Sequence, residues 1–183
     1  MRTFDELERM WLESPPEPRG RGAVRLLCVR TAEGVHECVD RVLVTPERGV
    51  EGDRWLHKPG RDLDQQVTLI RARVAELIAA GHAPIDACGD NLHVDFDLAE
   101  AALPPGARLR VGGALLLVTA HPHAGCKKFR ARYGVEALQW VNYQPHRARR
   151  LRGVNCRVLS GGEVAVGDAI ELDGEARSSP SSP

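Results

Sequence analysis

The chain carries no excess charge of either sign: Lys plus Arg and Asp plus Glu each number 25 in 183 residues. A global field drawing it onto nucleic acid or an anionic membrane is therefore not expected, although a local basic pocket stays open. Long apolar runs are missing too, and nothing approaches the roughly 20 residues needed to span a bilayer. Acidic residues interrupt the apolar positions of the segment from Met1 to Pro18, so a secretory signal is not expected there. The five cysteines, Cys28, Cys38, Cys88, Cys126 and Cys156, include no CxxC pair. An odd, scattered set makes a poor disulfide framework and a poor structural zinc motif. These absences point to one soluble domain in the reducing cytoplasm, and they leave the question of which thiol is used.

Local periodicity sets the expected elements. Phe4, Leu7 and Trp11 recur at helical spacing, so residues 3–13 read as a short amphipathic helix ended by Ser14-Pro15-Pro16. Residues 1–22 thus form a helix and Pro-rich linker. Segments 23–30 and 36–44 read as two paired strands. Pro46, Gly49, Gly52, Pro59 and Gly60 then break the chain into a long surface loop. Residues 65–70 suggest another strand, and 71–81 a helix stopped at Gly81, the one helix expected in the body. Gly112-Gly113 marks one hairpin, and Ser160-Gly161-Gly162 marks a second between 153–159 and 163–172. About seven strands with one body helix predict a mainly β, closed or nearly closed barrel. The tail, 173–183, is low in complexity and is expected to be disordered. Residues 127–152, rich in Arg and Lys beside Tyr133, Trp140 and Tyr143, remain open between helix, loop and partner surface.

The chemistry concentrates at the segment from Thr119 to Lys128, leaving a hairpin strand where a barrel opens to solvent. Cys126, followed by Lys127 and Lys128, has neighbours that favour the thiolate, with Gly125 allowing close approach of a ligand. The plainer alternative is an inert loop thiol. His121, His123 and Cys126 also form an HxHxxC set of zinc-type ligands, which His57 or Asp53 could complete, although Pro122 argues against the two rings converging. Gly89-Asp90-Asn91 suits a capped turn or an anchored polar ligand, while Gly52-Asp53 and Gly167-Asp168 suit turns in which Asp bonds its own backbone.

Taken together and in order, Gly49-Val50-Glu51-Gly52-Asp53-Arg54, Gln66-Val67-Thr68, Gly89-Asp90-Asn91-Leu92, Leu109-Arg110-Val111-Gly112, Cys126-Lys127-Lys128, Arg152-Gly153-Val154 and Val166-Gly167-Asp168 resemble MOSC domains over residues 23–172. The family takes its name from the C-terminal part of molybdenum cofactor sulfurases, a pyridoxal-phosphate-associated group. The resemblance implies a MOSC-like, PK beta-barrel-like fold of the stand-alone type, without the extra domains of larger relatives. It also implies one functional cysteine, matched by Cys126, that carries sulfur as a persulfide or ligates the metal of a molybdenum-pterin cofactor. Lys127 is the expected activator of that thiol. Arg54, His57, Asp90, Asn91 and Arg157 are the expected cofactor contacts, with a sulfur-donor protein or separate redox partner and no membrane or nucleic acid. The sequence departs from the family pattern at Gly125 (usually Pro), Asp90 (usually Glu) and Trp55 (often His, a part left to His57). An alternative is a non-catalytic adaptor presenting the Arg-rich stretch from Lys127 to Arg152 to a protein or nucleic acid.

Overall fold

A computed structural model describes residues 1–174. Seven strands close a barrel of mixed sense: β1 (Arg21–Ala32), β11 (Ala169–Leu172), β7 (Arg108–Val111), β8 (Ala114–Val118), β9 (Val154–Ser160), β5 (Val67–Arg71) and β6 (Leu92–Asp95), in that order around the ring. The pairing of β1 with β11 closes it, with Gly22 opposite Ile170. All neighbours run antiparallel except β5 and β6, where Leu69 pairs with Leu92. β1 is long enough to pair with three strands because its ladder to β6 shifts register between Val24 and Leu26. The remaining strand of this sheet, β2 (Val35–Val39), pairs only with β1 and forms an outer edge.

The alternation of side chains sorts two cores. Val24, Leu27, Val67, Leu69, Leu92, Val94, Leu116, Val118, Val154 and Ile170 fill the barrel. Outside it, Leu7, Ile70, Val74, Ile78, Tyr133, Trp140 and Leu151 pack a helical layer against the wall. This layer holds α1 (Phe4–Glu13), α2 (Ala72–Ala79) and α3 (Lys127–Asn142). A reciprocal capping box between Thr3 and Glu6 starts α1, and its Trp11 meets Trp140 edge to face. The expected helices near 3–13 and 71–81 are present, and the segment left open resolves in its first part into a third helix, because residues 127–142 bury Phe129, Tyr133, Ala137, Trp140 and Val141. Gly134, at φ 87°, kinks α3, and its weak apolar stripe is why periodicity did not reveal it.

Two expected pairings are corrected. The segment 36–44 is not one strand: it breaks after Val39, and β3 (Arg41–Thr45) leaves to join β4 (Gly49–Val50) and β10 (Gly162–Ala165) in a small second sheet. The second hairpin is absent for the same reason, since β9 pairs with β5 and β8 whereas β10 pairs with β3. Gly161 and Gly162 instead form a corner where backbones cross; a Cβ on Gly162 would lie 2.2 Å from the Gly113 carbonyl carbon. The Gly112-Gly113 hairpin joins β7 and β8, with Gly112 at φ 53°. At Gly167-Asp168 the carboxylate accepts from the Ala165 amide, closing the turn within its own segment. Of the tail, Asp173 is held by Arg108 and Arg110, and the expectation for 175–183 lies outside the described residues. Among the described residues no helix is long and apolar enough to cross a membrane.

Candidate functional site

The long loop after β4 is folded rather than loose. Asp53 is its anchor: its carboxylate accepts from the Trp55 amide at 2.8 Å, from Asn91 Nδ2 at 2.8 Å, and from the Arg30 amide at 3.1 Å. The Arg30 guanidinium adds a two-point contact at 2.7 and 3.0 Å. Burial alone would raise this carboxyl, but the Arg30 bonds and charge and the two amides outweigh it and hold it low. The consequence is a fixed cation at the end of β1. Trp55 is buried and donates its indole N–H to the Asp62 carbonyl, so it plugs the loop and leaves His57 at the surface.

This loop, the end of β1 and the segment before α3 enclose an open cavity of about 660 Å³. That volume falls within the roughly 300–1,000 Å³ of small-molecule and cofactor sites. Arg30, Arg54, Lys58 and Lys128 supply cations to its wall, Glu33, Asp53 and Asp62 supply carboxylates, of which Asp53 pairs with Arg30 and Glu33 with Lys128, and His57, His123, Gln65, Thr68 and Asn155 supply further polar groups. Beyond His123 a second cavity of about 530 Å³ is lined by Arg147, Arg150 and Arg152. His123 borders both.

Beneath this partition lies a buried pair. Asp90, fully enclosed, accepts from the Arg152 guanidinium and from His123 Nε2 at 2.6 Å. Burial pushes the carboxyl up, yet the Arg152 charge and the hydrogen bond from His123 pull it well below the usual carboxylate range. An ionised Asp90 can only accept, so Nε2 of His123 carries the proton and Nδ1 is left as the basic nitrogen. Burial and the Arg152 charge depress the histidine, keeping it neutral near pH 7. Arg152 also donates to the Cys88 carbonyl and lies over the Phe129 ring, while its Nε–H has no partner among the described residues.

Cys126 occupies the N-cap position of α3 and is exposed, without a cap hydrogen bond of standard geometry. Some burial raises its thiol, but the Phe129 and Lys128 amides of the first turn, followed by the charges of Arg152 and Lys128, lower it below the ordinary thiol value. The sulfur is not in the wall of the larger cavity; His123 and Lys128, on either side of it in sequence, are. Cys126 is therefore a rim thiol open to solvent beside a polar hollow.

The expected site residues separate into two groups. Arg54 and His57 line the cavity. Asp90 and Asn91 do not face it: both are buried, and Asn91 braces Thr68, Asp53 and the Cys28 carbonyl, so they position other groups. Arg157 pairs with Asp64 and is not among the residues lining the larger cavity. Of the two lysines that follow Cys126, Lys128 is the one whose charge lowers its thiol. Gly125 does not offer its face to a ligand, because Asn142 clamps its N–H and C=O and Leu138 would meet its Cβ at 2.7 Å. The HxHxxC zinc set is not formed either. His121 bonds Gln65 and the Pro122 carbonyl while His123 bonds Asp90, and among the described residues the one group of three converging metal-type ligands lies elsewhere. Arg30 and Asn155 went unnoticed in the sequence because only their distant partners give them a role; Arg152 was visible as part of the Arg152-Gly153-Val154 motif and of a basic run, without its partner Asp90.

A small closed barrel with a polar rim cavity and an activated cysteine at a helix start defines a class of ligand-handling β-barrel domains. The MOSC domain family model matches residues 47–171, and the chain belongs to that family, which is associated in general with molybdenum-cofactor binding and sulfur transfer. Among solved structures it is similar to the YUAD protein from Bacillus subtilis (21% identity, 86% of this chain and 98% of that one, TM-score 0.56). It is also similar to YiiM from Escherichia coli (21% identity, 83% and 70%, TM-score 0.56) and to a hypothetical protein (22% identity, 86% and 70%, TM-score 0.63). At these identities the likeness is one of fold. No curated protein matches significantly.

Proposed function

We propose that this protein carries sulfur on Cys126, or uses Cys126 to hold the metal of a molybdenum-pterin cofactor, in the reducing cytoplasm. The observation that carries the proposal is the exposed Cys126 thiol, lowered by helix amides, Arg152 and Lys128, in the segment whose His123 and Lys128 line a polar cavity. A soft thiolate suits both sulfur and molybdenum, and Arg54 and Lys58, the wall cations without an ion pair among the described residues, suit an anionic phosphate. The donor set therefore fits the cofactor. Bound there, molybdenum would supply two-electron oxygen- or sulfur-atom transfer. In the carrier role, Cys126 Sγ attacks the outer sulfur of a donor protein's persulfide. A new S–S bond forms at Cys126, the donor's S–S bond breaks, and the donor cysteine leaves as thiolate with the electron pair, without net oxidation.

Protein purified from a molybdenum-competent host should contain metal and pterin, or gain one sulfur on Cys126 when mixed with a persulfide donor, as read by metal analysis and intact mass. Retention of both properties by Cys126→Ser sinks the assignment. The adaptor alternative is the weaker reading, because, of its aromatics, Tyr133 and Trp140 are buried and only Tyr143 is exposed. Its arginines are also committed inward: Arg132 to the Ala87 carbonyl, Arg149 to Glu8, Arg150 to the Leu103 carbonyl and Arg152 to Asp90.

A further inference from the structure

A second cluster of sulfur, nitrogen and oxygen ligands lies on the outer face of the barrel wall. Leu27 and Val29 of β1 point into the barrel core, so Cys28 between them points outward. Across the ladder Cys28 stands directly opposite Cys38, and His36, two residues earlier on β2, shares the face of Cys38. The short 3-10 turn Ile85–Cys88 packs over these strands and brings Asp86 down onto them. One ligand atom each from Cys28, His36 and Asp86 lies within 4.8 Å of the others. No residue of this cluster lines the cavity beside Cys126.

We propose that Cys28, His36, Asp86 and Cys38 form a binding site for a thiophilic divalent cation of the zinc class, independent of the reading given to Cys126. Two sulfurs, an imidazole and a carboxylate match the ligand chemistry of tetrahedral zinc. Such a site needs its ligand atoms about 3.3–3.8 Å apart, given the usual zinc–ligand bond lengths. Cys38, exposed on an edge strand, closes the set from the solvent side, where an ion can enter. A second, independent observation is the charge pattern. Asp86 is half-buried and makes no ion pair among the described residues, although its carboxylate faces both thiols. Removing the thiol protons would place three negative charges together. A divalent ion leaves one of them, and the Arg132 guanidinium, bound to the Ala87 carbonyl of the same turn and close to His36, is the cation placed to offset it. Gly89 fits this arrangement: at φ 73° it ends the turn, and a Cβ there would lie 3.1 Å from His36 Nε2.

The test is titration of reduced, full-length protein with Co(II) as the spectroscopic probe, followed by displacement with Zn(II). One equivalent should bind with the visible bands and thiolate charge-transfer absorption of a tetrahedral sulfur site, unchanged in Cys126→Ser. Cys38→Ser and His36→Gln, both at accessible positions, should weaken binding by about 100-fold or more, since even outer-shell changes cost about 10–100-fold. Absence of stoichiometric binding in the reduced protein overturns the proposal, including the case in which Cys28 and Cys38 simply oxidise to a cross-strand disulfide. Binding that disappears in Cys126→Ser but persists in Cys38→Ser overturns it as well, and would instead support the Cys126 reading.

Discussion

Cys126 and Cys38 are both exposed thiols, and their surroundings have opposite sign. Cys126 starts a helix, where the Phe129 and Lys128 amides and the Arg152 and Lys128 charges stabilise a thiolate. Cys38 sits on a sheet edge, where burial and the Asp86 carboxylate raise its thiol. A strand has no end-dipole comparable to that of a helix, so position within an element, rather than the residue itself, decides reactivity. The difference teaches that the surroundings of the first thiol favour its thiolate, whereas those of the second oppose it unless a cation joins them.

The largest break in this comparison should come at Asp90, which holds Arg152 in place beside Cys126. Asp90→Asn leaves a buried guanidinium without its counter-charge and should cost about 3–5 kcal/mol in urea unfolding at pH 7. Because the folded carboxyl is depressed, its stabilisation is present above the unfolded value near 4 and is lost as pH falls further. The gap between wild type and variant should therefore narrow below about pH 4. A gap constant from pH 7 to pH 3 would show that Asp90 is not ionised in the folded protein.

Thiol reactivity gives the next effect. At pH 7.5 in metal-free protein, iodoacetamide should modify Cys126 about tenfold or more faster than Cys38, since each unit of pKa separation changes the thiolate fraction nearly tenfold below both values. Peptide mass mapping that finds Cys38 modified first would refute the opposition described above. The smallest effect separates two adjacent lysines. Lys128→Ala should slow Cys126 alkylation by about two- to threefold at low salt and less at high salt, as screening of an exposed charge requires. Lys127→Ala should leave the rate unchanged. Equal slowing by both would mean that the first turn of α3 does not orient its charges as described.

Features within a few residues of one another were legible from the chain. The helical stripe from Phe4 to Trp11, the Gly112-Gly113 hairpin, and the Asp53 and Asp168 turns each rest on local spacing or on a side chain reaching its own backbone. So was the suspicion about Cys126, whose cationic following residues are adjacent to it. The fate of β10 was not legible, because a strand pattern names a face and not a partner. Nor was the site's support: Arg30 meets Asp53 and Asp90 meets Arg152 only after distant segments are packed.

By itself, then, the amino-acid order determined the barrel class, through alternating apolar strands punctuated by glycine, and the presence of one thiol flanked by cations. Tertiary structure alone decided which cation acts on that thiol, which polar residues face the cavity, and that Cys28, His36, Cys38 and Asp86 share a surface. The reason is physical. Periodicity encodes burial along one segment, whereas charge pairing and ligand convergence depend on distances between segments, which ring closure and helix docking set.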